Sequence, residues 1–115
     1  MKQYAFSKKY RIQKPNEFSY VFSHGKKFYT KHLTGICVSN DLSYFRFGIS
    51  IGKKFGDANK RNRFKRLLRE SFRTSTFRFL QGKDLVVLPS LKEKILDYQV
   101  LKEELNHIMQ EMIKK

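Results

Sequence analysis

The segment from Arg61 to Arg73 constrains the fold most, because it separates into two faces when it is placed on a helix. At about 100° per residue, one side is apolar and carries Phe64, Leu67, Leu68 and Phe72. The adjacent side is polar and basic and carries Arg61, Asn62, Lys65, Arg66, Arg69 and Arg73. An apolar wall of this width has to be buried against another element. The pattern therefore predicts a helix that packs on a sheet and turns its basic face outward.

The basic face holds no carboxylate on the helical wheel, since Glu70 and Arg63 fall on the far side. Like charges four residues apart destabilise an isolated helix by about 0.2–0.5 kcal/mol each. Most solvated faces mix charges of both signs, so we interpret this one as a binding site for a polyanion. Arginine outnumbers lysine on the helix, which favours bidentate phosphate contacts. Lys53, Lys54 and Lys60 precede this face and extend the predicted site.

The positive charge of the chain is regional. Residues 1–83 hold 20 Lys and Arg against 4 Asp and Glu, which gives +16, whereas residues 84–115 hold 5 against 6, which gives −1, for a total of +15. A local excess of this size repels itself in a compact fold. Neutralisation by a nucleic acid is the simplest explanation for it, and an anionic membrane surface is the alternative.

The first half of the chain predicts an arm, a short helix and two strands. Residues 1–12 read as a flexible basic arm. Pro15 suits the first turn of a helix, and Gly25 suits a left-handed cap at its end. Residues 31–39 are mostly apolar, and residues 44–52 alternate with the period of two that is typical of a strand. Turn-forming residues lie between these two strands, so we predict a hairpin, with a further short strand near residues 27–30.

The second half predicts a helix, a buried strand and a last helix. The basic helix should begin at about residue 57 or 59 and continue to residue 79, before a stop near Gly82. Residues 84–88 form an apolar run that ends at Pro89, and a final helix covers about residues 97–113. At 115 residues the chain should be a single domain. The order of elements predicts the α+β class with one mixed sheet.

Several kinds of chemistry find no support in the sequence. Cys37 is the single cysteine and lies in an apolar run, so we expect a small buried side chain in a reducing compartment. The three histidines, His24, His32 and His107, are too scattered for a tetrahedral zinc site. No stretch approaches the length of a membrane span or a signal peptide, and no motif for reading DNA is present. We therefore expect a soluble protein that holds no metal, and the partner we favour is RNA, with no membrane and no DNA.

The stretch from Gly48 to Phe72, GISIGKKFGDANKRNRFKRLLRESF, resembles the signature of the bacterial ribonuclease P protein subunit. Arg61-Asn62-Arg63 matches the basic "RNR" helix of that family. Residues 16–25 are similar to the family's first helix, and the resemblance extends over about residues 8–113.

This resemblance implies a fold, partners and a site. The fold would be α-β-β-β-α-β-α with one mixed sheet and a left-handed crossover, a topology also found in a ribosomal protein domain. The partners would be the catalytic RNA of ribonuclease P, bound one to one, and precursor tRNA, in the bacterial cytoplasm. The residues implied for RNA binding are Lys53, Lys54, Lys60, Arg61, Asn62, Arg63, Lys65, Arg66, Arg69 and Arg73. Those implied for a cleft that holds the 5′ leader of precursor tRNA are Phe18, Phe22, Thr34 and Ile36.

The resemblance also implies that the RNA is the catalyst and that its phosphates hold the Mg²⁺ ions. The protein itself would then carry no cofactor and no catalytic residues. Arg63 lies off the basic face, so we expect it to make a different RNA contact or to support the preceding loop. Three alternatives share parts of the pattern: a ribosomal protein or RNA chaperone, a nuclease that needs no RNA cofactor, and a protein of the membrane surface.

Overall fold

The computed structural model describes residues 8–75 and 82–114, and within these ranges the chain forms three α-helices and one four-stranded sheet. In chain order the elements are α1 (Pro15–His24), β1 (Lys26–Tyr29), β2 (Leu33–Ser39), β3 (Arg46–Ile49), α2 (Ala58–Arg73), β4 (Lys83–Pro89) and α3 (Tyr98–Met112). Two 3₁₀ turns occupy Lys8–Tyr10 and Lys53–Phe55. The predicted α+β class and the order α-β-β-β-α-β-α are confirmed.

The sheet has the order β1-β2-β4-β3, and β4 therefore separates the two strands that the sequence predicted as a hairpin. β4 pairs antiparallel with β2 and parallel with β3. The hairpin prediction is wrong because β4 is apolar on both faces, with Leu85, Val86 and Val87 all fully buried. A strand of this kind belongs at the centre of a sheet with both of its faces covered.

Two hydrophobic clusters lie on opposite faces of the sheet. On one face Phe64, Leu68 and Phe72 of α2 are at most 3% exposed, and the Phe72 ring stacks on Phe47 of β3 with 4.6 Å between the ring centroids. Leu67 is partly buried against the same cluster. The predicted apolar wall of the basic helix is therefore confirmed as core, and its opposite side is left to face outward.

The smaller cluster lies beneath α1 and joins it to the other face of the sheet. It contains Ile12, Val21, Ile36 and Val86. Gly25, at the end of α1, has φ −83° and ψ 155°, so the predicted left-handed cap is wrong. A Cβ at this glycine would lie 2.5 Å from Ile36 Cγ2 and 2.6 Å from the carbonyl oxygen of Val21. The glycine is thus required by close packing and not by its backbone angles.

The ends of two predicted segments also differ. α2 ends at Arg73 and not at residue 79, because the Thr74 hydroxyl donates to the carbonyl oxygen of Glu70 and closes the last turn; residues 76–79 of that prediction lie outside the described residues. The predicted flexible arm over residues 1–12 is wrong for its last residues. Ile12 is 3% exposed, and its N–H donates to the Phe47 carbonyl oxygen over 3.0 Å, since β3 lies at the edge of the sheet and offers pairing groups there. Residues 1–7 lie outside the described residues.

Candidate nucleic-acid interface

The start of α2 is fixed by a side-chain cap and by the preceding loop. The Asp57 carboxylate accepts the backbone N–H of Lys60 over 3.0 Å, which satisfies one of the free donors of the first turn. Phe55 in the 3₁₀ turn is 3% exposed and its ring lies 5.1 Å from the Phe64 ring. This anchor holds the loop against the helix and leaves Lys53 and Lys54, its neighbours, exposed. The loop lysines are therefore fixed next to the start of α2.

The outward side of α2 carries the basic face that the sequence predicted. Two of its members, Asn62 and Arg66, are exposed. The other four, Arg61, Lys65, Arg69 and Arg73, are partly buried, as expected where long side chains lay their aliphatic stems along the protein surface. Burial, together with the positive charge of Arg11, lowers the pKa of Arg69. Cations on this surface therefore lie close enough to repel each other, a cost that an anionic ligand would relieve.

Two details of the basic face were not predicted from the sequence. Arg61 Nε donates to the carbonyl oxygen of Gly56 over 3.2 Å, so Arg61 supports the preceding loop, whereas Arg63 is exposed. At the other end, the Arg73 guanidinium forms an ion pair with the Glu70 carboxylate. The helical wheel placed the Glu70 carboxylate apart from the basic face. Residues three apart on a helix are neighbours, however, and long side chains can bridge them.

The four residues expected to line a leader cleft lie on α1 and on the strand that α1 covers. The rings of Phe18 and Phe22 have their centroids 6.3 Å apart, and Phe22 is 39% exposed. Thr34 and Ile36 are two residues apart on β2 and so share one face of the sheet. Thr34 is partly buried, but Ile36 is only 4% exposed and belongs to the cluster under α1. Of the four, Ile36 is the one placed in the core, beneath the accessible surface.

Two further cations lie beside the interface and were not singled out from the sequence. Lys94 Nζ donates to the carbonyl oxygen of Lys54 over 2.8 Å, although this lysine comes from the part of the chain that has almost no net charge. Nothing in its local sequence indicates this position. Arg11 forms a β-bridge with Phe47 and lies close to Arg69. Its place in the basic N-terminal segment was a signal, but that segment was predicted to be a flexible arm.

Neither a metal centre nor a membrane-spanning segment is found in the described part of the chain. No group of three His, Cys, Asp or Glu residues within residues 8–75 and 82–114 is arranged to hold a metal ion. No helix in the same ranges has the length and apolar character needed to cross a membrane. Burial raises the pKa of the Cys37 thiol to about 11. It is therefore protonated at neutral pH and packs as a small apolar side chain.

The fold and this surface define a class, that of small basic α+β proteins in which a cationic helix packs beside a mixed sheet and suits a polyanionic partner. A family model described as ribonuclease P matches residues 6–113, nearly the whole chain. The chain therefore belongs to the ribonuclease P family of protein components.

Individual relatives agree with this assignment. The chain is 37% identical over 109 residues to the ribonuclease P protein component of Syntrophus aciditrophicus, with 95% of this chain and 92% of that protein covered. It is 44% identical over 89 residues to that of Nitrosococcus oceani, with 76% and 74% covered.

Two solved structures are similar over most of the fold. The ribonuclease P protein of Staphylococcus aureus has a TM-score of 0.80 at 28% identity, with 90% of this chain and 95% of that one covered. The ribonuclease P protein of Thermotoga maritima has a TM-score of 0.79 at 30% identity, with 91% and 98% covered.

Proposed function

We propose that this protein is the RNA-binding subunit of bacterial ribonuclease P, which binds the catalytic RNA and the 5′ leader of precursor tRNA and so promotes removal of the leader. The observation that carries the proposal is the division of α2. One side of the helix is committed to the core through Phe64, Leu68 and Phe72, all at most 3% exposed. The other side presents a row of cations. Repulsion between these cations destabilises the free protein. A polyanionic partner that neutralises their charge would explain why the face is there.

The basic face and the loop before it would bind the catalytic RNA. Lys53 and Lys54 are exposed beside the start of α2, and Arg63 and Arg66 are exposed along it. Guanidinium groups form bidentate pairs with phosphates. Contacts of this type give an affinity that falls steeply with salt concentration. One face of one helix suits a single RNA site, and we therefore propose a complex of one protein with one RNA.

The leader of precursor tRNA would lie across α1. The Phe22 ring is 39% exposed and has Phe18 as its neighbour. Unpaired bases stack on exposed aromatic rings, and each such contact contributes about 1–3 kcal/mol. In this arrangement Ile36 packs beneath the floor of the cleft, and the aromatic residues of α1 are the ones that stack on the bases of the leader.

Bond cleavage is assigned to the RNA. Hydrolysis of a phosphodiester requires metal ions on oxygen ligands or a positioned general base. The acidic residues near the basic face are already engaged, since Asp57 caps α2 and Glu70 pairs with Arg73. Mg²⁺ would be held by phosphates of the RNA. The protein would contribute by neutralising charge and by positioning the substrate.

The test is a reconstitution. Purified protein is added to ribonuclease P RNA at a Mg²⁺ concentration too low for the RNA to act well, and cleavage of precursor tRNA is followed. We expect faster cleavage only when protein and RNA are both present. Cleavage by the protein without RNA would instead identify an independent nuclease, and RNA binding without stimulation would identify a ribosomal protein or an RNA chaperone. Binding to anionic vesicles in place of RNA would identify a protein of the membrane surface.

A further inference from the structure

The loop that carries Lys53 and Lys54 satisfies two of its carbonyl groups within its own 3₁₀ turn. The Phe55 N–H donates to the Gly52 carbonyl oxygen over 3.1 Å. The Gly56 N–H donates to the Lys53 carbonyl oxygen over 3.2 Å. The carbonyl group of Lys54 comes next in the chain, and its donor comes from a distant segment.

That donor is Lys94, whose Nζ lies 2.8 Å from the Lys54 carbonyl oxygen. The two residues are 40 positions apart in the sequence. Lys94 belongs to the segment between β4 and α3, in the part of the chain that has almost no net charge. A hydrogen bond from a charged donor is stronger than one between neutral groups. The contact therefore connects the loop before α2 to the segment before α3.

The backbone of Lys94 is held in place by the residues that follow it. Ile95 and Leu96 are partly buried and pack against the larger hydrophobic cluster. Asp97 caps α3, since its carboxylate accepts the backbone N–H of Val100 over 3.0 Å. The Lys94 side chain therefore extends from a backbone that is fixed to the core.

Two other contacts hold the same loop on the side of α2. They are the packing of the Phe55 ring and the hydrogen bond from Arg61 to the Gly56 carbonyl oxygen. Lys94 adds a third contact from the other side. A loop that is held on both sides presents its exposed lysines in one arrangement. Groups that are ordered before binding lose less conformational freedom when a ligand arrives.

The Lys94 ammonium group lies beside the loop lysines without a negative charge of its own. Among residues 8–75 and 82–114, no carboxylate forms an ion pair with it. The adjacent Glu93 pairs with Lys31 instead, over 3.7 Å. A third cation next to two exposed lysines is repelled in the free protein, and phosphates would relieve this repulsion. The contact therefore suits a surface that is covered by a polyanion.

We propose that Lys94 is a positioning residue for RNA binding, which holds the Lys54 carbonyl group and so fixes both loop lysines for contact with the catalytic RNA. The inference rests on the proposed function and deepens it. Lys94 acts through the loop and does not contact a phosphate itself. The segment between β4 and α3 thereby contributes to the interface, although its own sequence is not basic.

The first experiment measures the loop in the full-length protein. Lys94→Met removes the donor and keeps a long side chain, whereas Lys94→Arg keeps both the charge and the donor. In Lys94→Met we expect shifted NMR signals for the Phe55 and Gly56 amides. We also expect hydrogen exchange at the Gly56 N–H to be about fivefold faster, the scale for loss of one hydrogen bond.

Lys94→Arg should restore most of the protection of the Gly56 N–H. Lys92→Met is the matched control, because Lys92 is exposed in the same segment and its removal takes away the same charge. If Lys94→Met leaves the signals and the exchange of the loop amides as they are in the unchanged protein, the proposal is overturned.

The second experiment measures affinity for ribonuclease P RNA by filter binding, with each variant shown to be folded by circular dichroism. Lys94→Met should bind about fivefold more weakly, Lys94→Arg should recover most of this loss, and Lys92→Met should bind as the unchanged protein does. Equal losses in Lys94→Met and Lys92→Met would overturn the proposal, because the effect would then be one of net charge alone.

A double-mutant cycle separates positioning from direct contact. Lys53→Met and Lys54→Met are combined, which removes the loop lysines and keeps the Lys54 carbonyl group. In this background Lys94→Met should cause no further loss of affinity, because the groups that it positions are gone. A full fivefold loss in this background would identify Lys94 as a separate phosphate contact and overturn the proposal.

The reconstitution with the unchanged protein tests the proposed function separately. If the unchanged protein stimulates cleavage and Lys94→Met binds the RNA equally well, only the role of Lys94 fails. If the unchanged protein neither binds the RNA nor stimulates cleavage, the proposed function fails, whatever the loop amides show.

Discussion

Arg46 and Asp84 form a two-bonded ion pair across the parallel strands β3 and β4, with Nε 3.0 Å from Oδ1 and Nη2 2.7 Å from Oδ2. The same guanidinium reaches α1, because Nη1 donates to Glu17 Oε2 over 2.8 Å. Arg46 and Asp84 are also partners in the strand register. One arginine therefore holds together the strand that flanks α2 and the helix that carries the aromatic residues.

The first prediction concerns this pair. Asp84 is 3% exposed, and Asp84→Ala would leave the partly buried Arg46 with only Glu17. We expect the free energy of unfolding to fall by about 3 kcal/mol, the scale for loss of one member of a buried ion pair. Urea denaturation measures it. Asp41→Ala is the control, because Asp41 is exposed in the loop after β2 and should change stability by less than about 0.5 kcal/mol. If the two substitutions lowered the free energy of unfolding equally, the stabilising role of the Arg46–Asp84 ion pair would be contradicted.

The second prediction concerns acid stability through Glu104 on α3. Burial raises the pKa of its carboxyl group, but this is outweighed by hydrogen bonds from Thr30 and from the side chain and backbone of His32, and the net pKa lies below the ordinary value of 4.5. Thr30 Oγ1 donates to Oε1 over 2.5 Å, and His32 Nδ1 lies 2.5 Å from Oε2. A carboxylate with a depressed pKa in the folded state stabilises above its unfolded pKa, and this stability is lost as pH falls through the folded value.

Glu104→Gln should therefore lower the free energy of unfolding by about 1 kcal/mol at neutral pH. The difference in free energy of unfolding between this variant and the unchanged protein should shrink as pH falls below about 4.5. Chemical denaturation at a series of pH values measures the difference. Glu103→Gln, one residue earlier and exposed, should show little effect at any pH. If the difference in free energy of unfolding between Glu104→Gln and the unchanged protein stays constant down to pH 3, the predicted dependence of stability on the protonation of Glu104 is refuted.

The third prediction separates two glycines. Gly25→Ala would place a Cβ 2.5 Å from Ile36 Cγ2, and we expect it to cost about 1–3 kcal/mol through overpacking. Gly52→Ala meets nothing within 4 Å and has φ −111°, so it should be neutral or raise stability by up to about 1 kcal/mol by restricting the unfolded chain. Thermal unfolding of the two variants compares them directly. The packing argument fails if Gly25→Ala is the more stable of the two.

The fourth prediction distinguishes two arginines of the basic face. Arg66 is exposed, so Arg66→Ala should weaken binding of the catalytic RNA, lower the salt slope by about one and leave stability unchanged. Arg61→Ala should weaken binding too, but it also removes the hydrogen bond to Gly56 and should cost about 1 kcal/mol of stability.

Filter binding at several salt concentrations, together with urea denaturation, tests both parts. Lys92→Ala is the control, since Lys92 is exposed in the segment between β4 and α3. An Arg66→Ala variant with an unchanged salt slope would place the RNA elsewhere.

The fifth prediction tests the aromatic residues of α1. Phe22→Ala should lower the preference for precursor over mature tRNA by about tenfold, since loss of one stacked base costs about 1–3 kcal/mol. Tyr29→Ala is a matched control, because Tyr29 is an aromatic residue that is 68% exposed on β1. Affinities for both tRNA forms, measured with the reconstituted complex, give the ratio. If Tyr29→Ala lowers the ratio and Phe22→Ala does not, the leader lies over the edge strand and not over α1.

Much of the interface was predictable because it depends on local periodicity. The wheel separated Phe64, Leu68 and Phe72 from the cations of α2, and all three are in the core. The run at residues 84–88 was correctly read as a buried strand. These assignments hold because the repeat of a helix or strand fixes which side chains share a face, whatever the rest of the chain does.

Strand order and side-chain partners depended on the tertiary structure. Consecutive strands are neighbours in most folds, so a hairpin of β2 and β3 was the reasonable expectation. β4 displaced it, because a strand that is apolar on both faces is stabilised most at the centre of a sheet. The ion pair of Arg46 with Asp84 joins residues 38 positions apart, and no local pattern indicates such a partner.

The sequence by itself determined the two faces of α2, the order of the elements and the regional positive charge, because each of these follows from residue type and spacing. Only the tertiary structure decided that Arg61, and not Arg63, supports the loop, that Gly25 is required by packing, and that Arg11 lies beside Arg69. Each of these depends on contacts between segments that the chain brings together only when its core forms, and such contacts leave no periodic trace in the sequence.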